Sequence, residues 1–256
     1  MQLKDKIAVV TGGANGIGRA MAARFIKEDA KQVVIVDLEE AHTHAVARQI
    51  GAVGMRGDVR VEADIVKAVE ETERQFGPID LFCSNAGIGT GGGFDVSNED
   101  WQKIWEINLM AHVYAARAVV PGMIARGGGY LLNTASAAGL LSQIGSALYS
   151  VTKHAAVAFA EYLAITHGKQ GIKVSVLCPQ AVRTNMTAGL QEGGVAGVDG
   201  MIEPAQVADA VIATLAEERF LVLPHPEVLT YMQRKTSDYD RWLRGMQRLQ
   251  ERFSDQ

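Results

Sequence analysis

The sequence predicts an α/β fold: a doubly wound parallel sheet with helices on both faces. Three observations predict it. Short runs are apolar at consecutive positions, patterns at helical spacing lie between them, and a glycine-rich turn follows the first run. Consecutive apolarity is what a strand covered on both faces requires, because neighbouring side chains point into opposite layers. Strands alternating with helices then imply parallel pairing through crossovers.

Taken in order, the strands are expected at KIAVVTG (6–12), QVVIVD (32–37), GMRGDV (54–59), IDLFCSN (79–85), GYLLNTAS (129–136), IKVSVLCP (172–179) and FLVLPH (220–225). Helical spacing appears between them, as in Ile65, Val69 and Phe76 among charged neighbours. Right-handed crossovers favour the order 3-2-1-4-5-6-7, with ligands at the carboxyl ends where the winding reverses. No repeat or Pro/Ser-rich linker divides residues 1–256, so a single domain is expected. Residues 184–201, TNMTAGLQEGGVAGVDGM, carry five glycines and little periodicity, and read as a mobile substrate loop. Residues 227–253 read as a C-terminal helical extension. Leu229, Met232, Tyr239, Trp242, Leu243, Met246 and Leu249 lie on one side, and Arg241, Arg244, Arg248 and Arg252 on another that reads as solvated.

A chain of 256 residues with 48% hydrophobic content can bury one large core. Its net charge of −4 gives no general attraction to nucleic acid or acidic membranes. With no uninterrupted apolar span and no targeting signal, a soluble cytoplasmic protein is expected. Cys83 and Cys178 sit in strand-like runs, and His42 and His44 are two apart, so no metal site is expected.

The first strand ends in TGGANGIGRAMAARF, where Gly12, Gly16 and Gly18 surround Asn15 and Ile17. Glycine lets the backbone approach a pyrophosphate, and the helix that follows offers unpaired N–H groups and a favourable dipole. Asp37 ends the second strand about 20 residues further on, where an acid accepts hydrogen bonds from adenosine ribose hydroxyls. Its charge would repel the 2′-phosphate of NADP, and Asn15 and Leu38 supply no cation, so NAD is favoured over NADP. A strand-end or helix-capping acid is the other reading of Asp37. SALYSVTKHAAVAFA places Tyr149 and Lys153 four apart on one helix face.

With these motifs in this order, the chain resembles the short-chain dehydrogenase/reductase family, in the subgroup marked by T-G-x-x-x-G-x-G and Y-x-x-x-K. The resemblance runs from residue 5 to about residue 225. Thr11, Gly12, Gly16 and Gly18 match its glycine turn. Asp58, followed by Val59, matches the acid that contacts adenine, and Asn85, Ala86 and Gly87 match its N-A-G stretch. Asn108, Ser136, Tyr149 and Lys153 match its catalytic tetrad. Pro179, Val182 and Thr184 fit P-G-x-V-x-T, with Val182 and Thr184 meeting the nicotinamide carboxamide. Gln180 departs from that pattern by standing where glycine is usual.

The resemblance implies a Rossmann-like fold, a homotetramer or homodimer, and an NAD-dependent oxidoreductase that interconverts a secondary alcohol and a ketone by hydride transfer. Tyr149 would be the general acid/base, its pKa of about 10 lowered by Lys153, which also reaches the nicotinamide ribose. Ser136 would hold the substrate oxygen, and Asn108 would prop open a helix and hold a water beside the lysine. Ile88, Ser136, Leu140, Leu141, Gln143, Ile144, Gln180, Met186 and Leu190 are the candidate substrate pocket, and most are apolar, which suits a hydrophobic small molecule. The alternative is a non-catalytic NAD-binding regulatory protein on the same fold.

Overall fold

The computed structural model describes residues 1–254. Seven parallel strands run β1 Ile7–Thr11, β2 Gln32–Asp37, β3 Val53–Arg56, β4 Leu81–Ser84, β5 Gly129–Thr134, β6 Ile172–Leu177 and β7 Leu221–Val222. They form one sheet in the expected order β3-β2-β1-β4-β5-β6-β7. The third and seventh are shorter than the sequence suggests. The ladder ends at Arg56 and Val222, and both strands lie at an edge, with one neighbour each.

Alternate residues of one strand feed two separate cores, which explains why the runs are apolar without a break. Ile7 and Val9 of β1, with Val34 and Val36 of β2, pack against α3 (Glu62–Phe76), α5 (Ala111–Ala125) and α7 (Ala147–His167). Ala8, Val10, Val33 and Ile35 face the other way, onto Met21 and Phe25 of α1 (Gly16–Lys27), Val46 of α2 (Glu40–Ile50) and Val211 of α8 (Pro204–Glu217). Residues 98–125 form one long helix from α4 (Asn98–Trp105) through a π-turn into α5. It has the length and hydropathy of a membrane span, but half of its most apolar stretch is buried within the fold.

Chain order reverses between β1 and β4, so their carboxyl ends open a crevice. Asn85 ties that edge together. Its backbone N–H and that of Ala86 donate to Thr11 Oγ1 at 2.9 and 3.2 Å, its Nδ2 donates to the Thr11 carbonyl at 3.1 Å, and its Oδ1 accepts from Thr134 Oγ1 at 3.0 Å. One side chain thus fixes the ends of β1, β4 and β5 relative to one another.

The C-terminal extension is two helices rather than one: α9 Glu227–Ser237 and α10 Tyr239–Ser254, broken at Asp238, which has an extended backbone. Val228 and Lys235 anchor α9. Val228 joins Ala137 and Leu141 in a third apolar cluster, and Lys235 Nζ donates to the Leu140 carbonyl of α6 (Ala138–Leu141) at 2.7 Å.

His112 of α5 is 1% exposed, and neither ring nitrogen reaches a partner at hydrogen-bonding geometry. Burial, reinforced by the nearby Lys153 charge, pulls its pKa down to about 3. The unfolded chain therefore binds an extra proton here between pH 3 and 6.5, and stability rises with pH across that window. This contribution is complete above pH 6.5 and is lost as pH falls. From the shift, His112 makes the protein about 2 kcal/mol less stable at pH 5 than at pH 7. Urea unfolding at the two pH values should show His112→Leu losing that difference. An equal acid sensitivity in both proteins would mean that His112 is already protonated in the native state.

Candidate active site

Every residue expected to bind the cofactor lines one cleft, of about 590 Å³, along the carboxyl edge of the sheet. At its phosphate end, Gly12 has φ +62°, and a Cβ there would lie 2.9 Å from Ala86 Cα. A Cβ on Gly18 would lie 2.1 Å from the Gly12 carbonyl oxygen, so the turn closes only without side chains. α1 starts at Gly16 with no acid in its first turn and no side-chain cap, which leaves its N–H groups and positive dipole end facing the cleft.

Asp37 lines the cleft at the end of β2. Its Oδ2 accepts from Ala14 N–H at 3.0 Å and its Oδ1 from Leu38 N–H at 2.8 Å, so backbone bonds hold the carboxylate at the wall. His42 Nε2 meets Asn15 Oδ1 at 3.1 Å across the turn. Arg60, which also lines the cleft, was not foreseen. It ion-pairs with Asp58 at 2.6 Å, and that bond holds the Asp58 carboxyl below its usual range. Arg60 is thus already engaged. A glycine-floored turn, a bare helix amino end and a carboxylate fixed at the cleft wall together fit a dinucleotide.

At the far end of the cleft lie Ser136, Tyr149 and Lys153. Ser146 caps α7, its Oγ accepting from Tyr149 N–H at 3.2 Å, so the tyrosine sits in the first turn and Lys153 in the second. Lys153 is 2% exposed. Its ammonium donates to the Thr134 carbonyl at 3.1 Å and stands 5.5 Å from the Tyr149 ring centre. Gly87 permits this approach, because a Cβ there would lie 3.2 Å from Lys153 Nζ and 3.3 Å from Asn108 Oδ1.

Asn108 is fully buried in the π-turn Glu106–Met110. Its Oδ1 accepts from Ile88 N–H at 2.9 Å, and its Nδ2 donates to the Ile88 carbonyl at 3.0 Å and to Thr152 Oγ1 at 3.3 Å. The side chain therefore clamps the loop after β4 to α7, and the helix dilates around it. π-Turns of this kind are enriched where backbone groups are freed for function.

One expectation needs correction. The phenol of Tyr149 is raised, not lowered. Burial dominates, and the adjacent Ser136 hydroxyl opposes it by hydrogen bonding. Lys153 is itself pulled down to about 8 by burial and remains mostly an ammonium at pH 7. In the protein alone, desolvation is the leading cause of both shifts.

A second cleft, of about 840 Å³, meets the first at Ser136 and Gln180. Of the residues expected to form one substrate pocket, Leu141 and Gln143 line this second cleft, whereas Ile88 and Met186 line the first. Leu140, Ile144 and Leu190 are not among the residues lining either cleft. Leu140 packs into the core beneath α6, and Leu190 is 53% exposed. The residues that sequence reasoning missed come from α9 and α10: Tyr231, Arg234, Trp242 and Met246 line this second cleft. The arginines read there as a solvated stripe were the available signal.

Gln180 has a definite task. Its backbone N–H donates to His225 Nδ1 at 3.2 Å and its Nε2 to Asp199 Oδ2 at 2.9 Å, while Tyr231 Oη donates to Asp199 Oδ1 at 2.9 Å. The side chain thereby joins the turn after β6 to the glycine-rich segment and to α9. That segment, expected as an irregular loop, contains 3₁₀ turns at Gln191–Gly197 with a kink through Glu192, Gly193 and Gly194.

The family model for short chain dehydrogenases matches residues 6–194. A 1-deoxy-11-beta-hydroxypentalenate dehydrogenase from Streptomyces exfoliatus is 36% identical over 237 residues, covering 89% of this chain and 86% of the relative. A short-chain dehydrogenase/reductase from Burkholderia phymatum, crystallised with NAD, superposes with a TM-score of 0.85 at 27% identity, covering 94% of this chain and 96% of that one. A 3-ketoacyl-(acyl-carrier-protein) reductase from Brucella melitensis, crystallised with NADH, gives 0.80 at 30% identity over 86% and 96% of the two chains. The matched stretch includes the glycine turn, Asn108, Ser136, Tyr149 and Lys153, and the chain belongs to the short-chain dehydrogenase/reductase family of oxidoreductases.

Proposed function

We propose that this chain is an NAD-dependent dehydrogenase that interconverts a secondary alcohol and a ketone, with Tyr149 as general acid/base. The observation that carries the reading is the meeting of two clefts at Ser136. One is shaped for a dinucleotide and the other opens toward the C-terminal helices, and Tyr149 and Lys153 stand at the junction. Nicotinamide, when bound, supplies the hydride acceptor. Ser136 Oγ accepts from Ala138 N–H at 3.1 Å, which fixes the hydroxyl so that it can orient the substrate oxygen. Tyr149 gives its proton to that oxygen in reduction and, starting as the phenolate, takes it back in oxidation. Lys153, beside the ring, offsets the phenolate charge while the proton is away.

A phenol raised by burial stays protonated at neutral pH, which suits the donor role in ketone reduction. The preference for NAD over NADP rests on Asp37, fixed by two backbone bonds, and on the engagement of Arg60 by Asp58. The relatives' names cover a hydroxypentalenate and a ketoacyl group, which share an oxygen-bearing carbon as the reacting centre.

Tyr149→Phe should lower turnover of a secondary alcohol by about 10² to 10⁴-fold, the range for loss of a general acid/base, while NADH binding followed by fluorescence is unchanged. Retained turnover would defeat the assignment, and a regulatory protein would show no turnover in either form. Asp37→Ala should reduce the preference for NADH over NADPH in the same titration. Two unit charges 4 Å apart cost about 1 kcal/mol even in water, which corresponds to about fivefold in affinity. A wild-type protein that binds both cofactors equally would overturn the NAD preference.

A further inference from the structure

The second cleft combines two kinds of lining that are rarely neighbours. Leu141, Val195, Trp242 and Met246 give it apolar walls, and Arg234, Arg241, Arg248 and Arg252 stand around it. No carboxylate is among its lining residues, although the chain has 29 acids against 25 Lys and Arg. The nearby acid, Asp199, is already held by Gln180 and Tyr231.

Elsewhere in the molecule arginines hold acids: Arg24 with Glu28, Arg56 with Asp64, Arg60 with Asp58, Arg74 with Glu71, Arg117 with Glu62 and Arg183 with Glu203. Among the described residues, none of the four cleft guanidiniums has an ion pair or side-chain hydrogen bond. Arg234 lies over the Tyr231 ring at 5.8 Å, a contact that orients the group without neutralising it.

The helix geometry explains why these groups gather. Arg241, Arg248 and Arg252 are spaced by seven and four residues, so they share one face of α10. Gly245 lies between them on that face. With no side chain there, Arg248 Nη2 comes within 3.9 Å of where a Cβ would stand, leaning toward the helix amino end as long helical side chains do. Trp242, Met246 and Leu249, on the adjoining strip, supply the apolar wall. A row of unpaired guanidiniums beside apolar surface is matched by a carboxylate or phosphate joined to a hydrocarbon body. Guanidinium binds such anions through paired, charge-assisted hydrogen bonds, and apolar neighbours reduce the screening.

We propose that the arginine face of α10, with Arg234, is a subsite for an anionic group at the far end of an apolar substrate. The substrates are then amphipathic hydroxy or keto compounds, with the reacting carbon at Ser136 and the anion at α10. This assignment rests on the reaction proposed above and adds its substrate class.

The test is calorimetric binding to the NAD-loaded protein, which requires no turnover. The ligands are straight-chain (ω−1)-keto acids from eight to sixteen carbons, their methyl esters, and the matching (ω−1)-keto alkyl phosphates. Some length of keto acid should bind at least about tenfold more tightly than its ester, as expected for a charge-assisted pair. The double variant R241Q/R248Q, on an exposed helix face, should lose that margin while its ester affinity and circular dichroism stay unchanged. Moderate salt should weaken the acid and not the ester. A larger margin for the phosphates would assign the anion as phosphate, a larger one for the acids as carboxylate, and either supports the subsite. Equal affinity of acid and ester at every length, or a margin that survives in the double variant, overturns it. Failure of the reaction itself would show separately, as absent turnover by a protein whose binding margin is intact.

Discussion

The site is organised around one costly placement, the ammonium of Lys153 buried to 2% exposure behind Tyr149. An isolated charge in such a position is unstable unless its hydrogens find acceptors. The Thr134 carbonyl at the end of β5 supplies one, the ring of Tyr149 offers its electron-rich face, and burial moves the group toward its neutral form. Several neighbouring features read as consequences of making room. Gly87 brings the loop after β4 against the ammonium, Gly139 leaves space for the Lys153 backbone, 2.4 Å from where its Cβ would lie, and the π-turn at Asn108 holds that loop to α7. Remove the lysine and these arrangements lose their shared reason.

How much of this could be read from the sequence depends on how local the signal is. Strand identity was legible because VVIV and VSVL have no polar face to give to water, and two separate cores take their alternate side chains. The convergence of the expected cofactor-binding positions on one cleft was legible for a topological reason. Parallel strands place every strand-end motif on one edge, so Gly12, Asp37, Asn85 and Ser136 converge even though 124 residues separate the first from the last. Strand ends at the sheet margins were less legible, since pairing stops at Arg56, before Gly57-Asp58-Val59, and at Val222, although Leu223 continues the apolar run.

What stayed hidden was whatever depends on packing between distant segments. Leu140 and Leu141 are adjacent and chemically alike and both pack in the cluster around Val228, yet only Leu141 also borders the second cleft, because a one-turn helix sends neighbours about 100° apart. The direction of the Tyr149 shift was misjudged for the same reason. Spacing told that a cation was near, but the balance between its attraction and the cost of desolvation is set by surroundings that no motif encodes. A sequence stripe of arginines likewise carries no mark of whether it faces water or a cleft. The answer came from Asp238, which breaks the helix, and from Lys235 and Val228, which hold α9 so that α10 borders the substrate side.

Gln180 shows how these two kinds of information meet. Its position is on the cofactor-facing turn after β6, where Pro179, Val182 and Thr184 keep the expected pattern, yet its side chain reaches outward to Asp199. Asp199 in turn accepts from Tyr231, so a shift of the glycine-rich segment moves a residue of α9 and is felt at the junction beside Ser136. A glycine at position 180 would leave the turn free to meet a nucleotide but would cut this link. The side chain therefore ties the second cleft to the turn whose backbone lines the first. At that junction Gln180 couples the stretch matched by the family model to the C-terminal helices.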